Sequence, residues 1–181
     1  MPRILGIDPG SVATGYGVIN TEGQQHQLVA FGTIKAGKGD FPERLKTIFE
    51  SICGIIEEYQ PDQFAIENVF VSRNAASALK LGQARGAAIV AAVHSNLPVA
   101  EYAPREIKQA LVGKGNAEKS QVSHMVGLLL AINDEIPEDA ADALAIAICH
   151  SHASVNQNRI EAAIGKQHPE IDLRKIGRRR R

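Results

Sequence analysis

Residues 3–20 read Arg3-Ile4-Leu5-Gly6-Ile7-Asp8-Pro9-Gly10-Ser11-Val12-Ala13-Thr14-Gly15-Tyr16-Gly17-Val18-Ile19-Asn20. The run 3–8 is short and apolar until Asp8, where Pro9 and Gly10 break it, so it predicts a core strand ending on an acid. Residues 14–20 read as a second strand and 27–35 as a third, with Thr21-Glu22-Gly23 as the turn between them. Three such runs in succession predict an antiparallel meander.

Outward from that start the pattern changes. Between Phe41 and Tyr59 the apolar residues Leu45, Ile48, Phe49, Ile52, Ile55 and Ile56 recur at helical spacing. Asp62 to Glu67 is a fourth strand, apolar until its last residue. Residues 73–95 predict a long helix of small side chains, 98–102 a fifth strand, and Pro104 a favourable helix start. Gly113-Lys114-Gly115-Asn116 is a loop, followed by helices over 118–132 and 138–151. A meander followed by alternating strands and helices implies an α/β fold: a mixed five-stranded sheet with helices on both faces. The expected division is one domain over residues 1–153 and a basic, partly disordered extension over 154–181, because the amphipathic signal fades after Ala153.

With 181 residues, 44% hydrophobic and 22% charged, the composition is that of a soluble globular domain. The opening Met1 to Asp8 is too quickly acidic for a signal peptide, and no apolar stretch is long enough to span a bilayer. Cys53 and Cys149 lie in apolar helical runs and read as reduced core residues, so the expected compartment is the cytoplasm. Net charge is zero, but six of the 20 basic residues fall in 174–181, leaving the body acidic. Residues 68–100 carry Arg73, Lys80 and Arg85 and no carboxylate. A basic surface beside an acidic centre suits an enzyme that brings divalent cations to a phosphate backbone, although uneven charge alone is common.

The acids are the chemically informative residues. Asp8 and Glu67 each end a core strand, where a carboxylate is costly to bury without a cation or hydrogen-bond donors. Open α/β sheets place their sites at strand ends. Asp139 and Asp142 are three apart on a helix otherwise made of Ala140, Ala141, Ala143, Leu144, Ala145, Ile146, Ala147 and Ile148, so they share one face and enter the core with it. Four hard oxygen ligands without a His or Cys cluster suit Mg²⁺ or Mn²⁺ rather than Zn²⁺. Spacing alone leaves other roles open: Asp8 as a turn former, Asp139 as an acid at a helix N-terminus, Asp142 on the surface, and Glu67 paired with an arginine.

Read in order, Ile7-Asp8-Pro9-Gly10 with Thr14-Gly15-Tyr16-Gly17, and then Ala65-Ile66-Glu67-Asn68-Val69-Phe70, resemble the first and second motifs of the RuvC family of Holliday-junction resolvases. Gly82-Gln83-Ala84-Arg85-Gly86 resembles the family's long helix. Lys108-Gln109-Ala110, continuing through Gly113 to Val122, resembles its fourth segment, and Asp139-Ala140-Ala141-Asp142-Ala143-Leu144-Ala145 its last. The resemblance spans residues 3–152. It implies an RNase H-like (retroviral-integrase-like) fold and a homodimer. It also implies symmetric nicking of four-way junction DNA with two Mg²⁺ per subunit, Mn²⁺ substituting, and work beside the RuvA–RuvB branch-migration complex in recombination and repair. By motif, Asp8, Glu67, Asp139 and Asp142 are the catalytic metal ligands, with Lys119 assisting.

A four-way junction has two equivalent strands, and a two-fold dimer places one site at each. The small-residue helix 73–95 is the candidate interface, with one face expected both to contact the sheet and to pair subunits. Phe70, three residues beyond Glu67, is expected to stack on a base at the junction centre, worth about 1–3 kcal/mol. In a chain without this resemblance the Phe would be read as folding into the core. Lys108 and Lys119 flank the Gly-rich loop and are expected near the scissile strand; Arg73, Lys80, Arg85, Lys114 and, more weakly, Arg105 are candidate backbone contacts. His124, His150 and His152 read as structural, with His150 the one that could approach the site.

Three rivals remain at this level. An RNase H-like nuclease for RNA or hybrids would use similar acids. An actin-like nucleotide-binding protein could share Asp-x-Gly followed by Thr-Gly, but needs a second phosphate loop and a longer chain. A non-catalytic junction binder would be indifferent to metal.

Overall fold

The computed structural model of the chain describes residues 1–68 and 74–167, with side chains through residue 157. Phe70, Arg73 and the basic segment 174–181 lie outside the described residues. The chain begins with β1 (Arg3–Asp8), β2 (Ala13–Glu22) and β3 (Gln25–Lys35). Then follow α1 (Phe41–Tyr59), β4 (Gln63–Glu67), α2 (Ala75–His94), β5 (Val99–Tyr102), α3 (Pro104–Val112), α4 (Lys119–Leu130) and α5 (Glu138–Gln167). The strands form one sheet in the order β3-β2-β1-β4-β5. β1, β2 and β3 pair antiparallel, whereas β4 and β5 run parallel to β1. This is the mixed α/β sheet expected from the sequence.

Strand alternation builds two cores. Leu5, Ile7, Val18, Phe64 and Ile66 face α1 and α2, packing on Ile48, Ile52, Ala84 and Ala88. Ile4, Ile19 and Ala65 face the other way, onto α3, α4 and α5. α5 crosses that second face and is apolar on nearly every side there: Ala140, Ala141 and every residue from Ala143 to Cys149 are buried. The sheet receives it on glycines. A Cβ on Gly6 would lie 2.2 Å from the Ala143 carbonyl oxygen, and one on Gly15 would lie 1.9 Å from that of Asp139. No real side chain fits either gap, so these two positions set how closely α5 can approach.

Three local expectations change. β2 and β3 are longer than predicted, because their pairing continues to Glu22 opposite Gln25 around Gly23, whose φ is +60°. α5 does not stop near residue 151: its apolar pattern fades, but no proline interrupts it and its first glycine is Gly165, so the backbone stays helical to Gln167. α2 divides its small residues between two faces rather than one. Ala84, Ala88, Ala91 and Ala92 are fully buried against the sheet side. Leu79, Val90 and Val93 are 70%, 57% and 59% exposed on the outer side, where Gly82 and Gly86 meet nothing. Cys149 is buried and Cys53 half-buried, both as free thiols. No helix among the described residues is long and apolar enough to cross a membrane.

The glycine contacts give a direct test by equilibrium unfolding. Gly6→Ala should destabilise the protein by about 3 kcal/mol, the upper end of ordinary overpacking, because the clash is with backbone. Gly54→Ala, on an open stretch of α1, should be neutral or gain up to about 1 kcal/mol. Equal stability of the two variants would contradict the close approach of α5.

Candidate active site

Asp8 is the last residue of β1 and Glu67 the last of β4. The strands are parallel neighbours with Ile7 beside Ile66, so both acids leave the sheet at the same end. Alternation puts Asp8 on the face of Ile4, and Glu67 on the face of Ala65, which is the face covered by α5. α5 begins over that corner. Gly15 pairs with Asp8 across β1 and β2 and abuts the backbone of Asp139. Asp142 follows one helical turn later. A period of two in the strands and about 3.6 in the helix thus delivers all four acids to one corner.

Asp8, Glu67 and Asp142 line a cleft of about 250 Å³ together with Lys108 and Lys119. Ile107, Val122 and Ile146 form its apolar wall. Asp139 flanks it, close enough to Asp8 and Asp142 to act on both electrostatically. Burial, with Asp142, Glu67 and Asp139 nearby, pushes the Asp8 carboxyl up to about 8. Glu67 and Asp142 are also raised, mainly by burial, and Lys119 works in the opposite direction on both. Among the described residues no three His, Cys, Asp or Glu side chains stand close enough together, as placed, to hold a metal ion. The acids surround an open cleft, the spacing that mutual repulsion favours.

Lys119 is the principal counter-charge. From the N-terminus of α4 its Nζ donates to Glu138 Oε1 at 2.7 Å and to Asp142 Oδ2 at 3.2 Å. Those contacts raise its pKa above the ordinary lysine value, the Glu138 hydrogen bond contributing most. An all-carboxylate donor set, short of positive charge and lacking thiolate or imidazole in the cleft lining, is chemically suited to a hard divalent cation.

The structure places the other candidates less uniformly. Lys108 lines the cleft, half-buried. Lys114 is exposed on the loop after α3, and Arg105 lies across Gly115. Lys80 is exposed on α2, with its ammonium 5.9 Å from the Phe41 ring centre. Arg85, expected as a DNA contact, donates to the Glu67 backbone carbonyl at 3.0 Å and to the Glu101 carboxylate. His150 does not line the cleft. It bridges the Tyr102 hydroxyl at 2.7 Å and Gln63 Oε1 at 3.1 Å as a buried strut between α5 and the sheet. The sequence reading missed Glu138 and Glu101. An acid at the start of α5 was visible, but its pairing with a lysine 19 residues earlier depends on the fold.

A family model described as crossover junction endodeoxyribonuclease RuvC matches residues 4–150. A crossover junction endodeoxyribonuclease RuvC from Shewanella loihica is 58% identical over 152 residues, covering 84% of this chain and 88% of that protein. Among solved structures, Thermus thermophilus RuvC in complex with a Holliday junction substrate superposes with TM-score 0.82 at 33% identity, covering 87% of this chain and 97% of that one. The yeast mitochondrial Holliday junction resolvase shares the fold at TM-score 0.62 and 13% identity, covering 87% and 83% of the two chains.

The raised Asp8 has a thermodynamic signature. Between its ordinary value of 3.8 and about 8, the folded protein keeps a proton that the unfolded chain has lost. Stability in metal-free buffer therefore falls as pH rises through that window. A divalent cation competes with the proton, so it should raise the melting temperature more at pH 8 than at pH 5. Thermal melts with EDTA or Mg²⁺ across this range check both trends. Asp8→Asn should flatten them; an equally steep dependence in that variant would exclude Asp8 as a principal source.

Proposed function

The chain belongs to the RuvC family of crossover junction endodeoxyribonucleases, and on that premise we propose that it resolves four-way (Holliday) DNA junctions. It does so by paired, symmetric nicks through phosphodiester hydrolysis, in recombination and DNA repair. The supporting observation is the meeting of Asp8, Glu67 and Asp142 with Lys108 and Lys119 around one cleft, Asp139 beside it.

Asp8, Glu67, Asp139 and Asp142 would hold two Mg²⁺ per subunit, with Mn²⁺ able to substitute. Cations held there would supply Lewis acidity for activating a water and for stabilising charge on the leaving 3′ oxygen. The chain's own residues do the rest. The open carboxylates orient the reacting phosphate's surroundings and accept positive charge. Lys119, tethered by Glu138, holds an ammonium at the cleft, where it can offset charge building on the phosphate. Lys108 adds a second positive charge to the cleft lining. Ile107, Val122 and Ile146 limit water on the apolar side. Phe70 is assigned to stacking at the junction centre, and Arg73, Lys80 and Lys114 to the DNA backbone.

Two active sites are supplied by a homodimer. The outer stripe of α2, with Leu79, Val90 and Val93 around the flat Gly82 and Gly86, is the surface we assign to it. Close approach of two such helices needs small residues at the crossing, which these glycines supply. The nuclease domain is assigned to residues 1–153, with 154–181 as an extension whose basic end adds affinity for DNA. The enzyme is placed alongside the RuvA–RuvB branch-migration complex.

Asp8→Asn, Glu67→Gln, Asp139→Asn and Asp142→Asn should each lower Mg²⁺-dependent cleavage of a mobile four-way junction at least 100-fold while binding in EDTA persists. Near-normal rates in any two of them would refute the site. A substrate panel decides the class: comparable cutting of linear duplex, RNA–DNA hybrid and four-way junction would defeat junction resolution. Leu79→Glu combined with Val90→Glu should convert dimers to monomers in analytical ultracentrifugation, and paired nicks to single ones.

A further inference from the structure

We infer that Arg85 is a positioning residue that sets the placement of Glu67 and ties it to α2. This rests on the function proposed above for the Glu67 cleft. The Arg85 side chain is 17% exposed, its guanidinium packed at the end of β4 and β5 rather than presented to solvent. Nε donates to the backbone carbonyl of Glu67, the last residue of β4, at 3.0 Å. Nη2 donates to the carboxylate of Glu101 on β5. Glu101 stands opposite Ile66 in the β4–β5 ladder, one residue before the Glu67–Tyr102 pair. One rigid guanidinium fork therefore joins a helix to the final rungs of two strands, at the point where β4 ends.

Two features make this contact matter for chemistry. The carbonyl that Arg85 grips belongs to the residue whose carboxylate lines the cleft, so movement of that peptide moves Glu67. A misplacement of about 1 Å at a reacting centre can cost roughly 100-fold in rate. Arg85 also sits between Gly82 and Gly86 on the helix whose outer stripe is assigned to subunit pairing. Fixing α2 against a partner then steadies Glu67 through a single side chain. The two bonds occupy two of the five guanidinium donors and hold the group against the strand ends, which is a role distinct from the DNA contact expected from the sequence.

Arg85→Lys and Arg85→Ala separate the two roles. Lysine keeps the charge, as a point donor without the fork, and guards against simple loss of folding in the alanine variant. The measurements are single-turnover cleavage of a four-way junction at saturating enzyme with Mg²⁺, junction affinity and its salt dependence in Ca²⁺, and Mn²⁺ affinity of the protein alone by calorimetry. Positioning predicts that Arg85→Lys cuts at least 10-fold more slowly at saturation, binds junction within about 2-fold of the parent, and binds Mn²⁺ at least 5-fold more weakly. Adding Glu101→Ala to Arg85→Ala should slow cleavage little further, because both remove the same link. A backbone contact predicts the reverse: full rate at saturation, unchanged Mn²⁺ affinity, and a salt slope reduced by about one in Arg85→Ala. That outcome, or losses that simply multiply in the double variant, overturns the inference. If the parent protein cut no junction, the proposed function would fail, while the Mn²⁺ titration would still decide the role of Arg85.

Discussion

The approach of α5 to the sheet is the constraint on which the site depends. A helix packed on a sheet ordinarily rides on the side chains of both. Here its backbone settles directly onto β1 and β2, because Gly6 and Gly15 present no Cβ where Ala143 and Asp139 pass. Alanines line the helix where bulk would lift it. The consequence is positional: Asp139 and Asp142 arrive at the height of the strand ends instead of above them, within electrostatic reach of Asp8. Side chains at those glycines would leave four carboxylates in the sequence and separate them in space.

Bringing them together is unfavourable in itself. Burial raises Asp8, Glu67 and Asp142, and the acids raise one another further. Lys119 offsets part of this and is in turn held by Glu138, an exposed acid that is lowered by the bond. The corner is thus a place where folding stability is given up and cation affinity gained, a common exchange at functional sites. An open cleft of carboxylates suits a small hard cation that keeps several of its own waters and takes few protein ligands directly, whereas a structural zinc site closes around its ion with four protein ligands.

Much of this was legible in residues 3–20 and in the helix starting at Glu138. Short apolar runs broken by turn residues marked the strands, the acid at the end of each core strand marked the corner, and a helix of alanines carrying two aspartates had to be buried. The antiparallel meander followed from the Glu22-Gly23 turn. What escaped reading was set by contacts between distant segments. Arg85 looked like any helix arginine in a stretch free of carboxylates; Glu101, just beyond that stretch, is its partner only because β5 lies beside β4. Lys119 and Glu138 meet only once α4 and α5 have packed. The far end of α5 was hidden for a different reason. Among the described residues past Ala153, 154–157, none is buried, so hydrophobic periodicity, which detects packing rather than helicity, loses the helix.

α2 presents two different faces, one to the core and one outward. Its buried alanines bring it close to the sheet, and its outer glycines and valines leave a flat apolar stripe. A soluble chain seldom leaves three large aliphatic residues this exposed along one helix without a partner for them. Arg85 lies between those two faces and reaches the strand that ends in Glu67. In a two-fold dimer the same helix would then lie at the symmetry axis and brace a cleft in each subunit. A substrate with two equivalent strands asks for two sites that become competent together, and in such a dimer a shared helical brace would supply that link with no need for a moving domain.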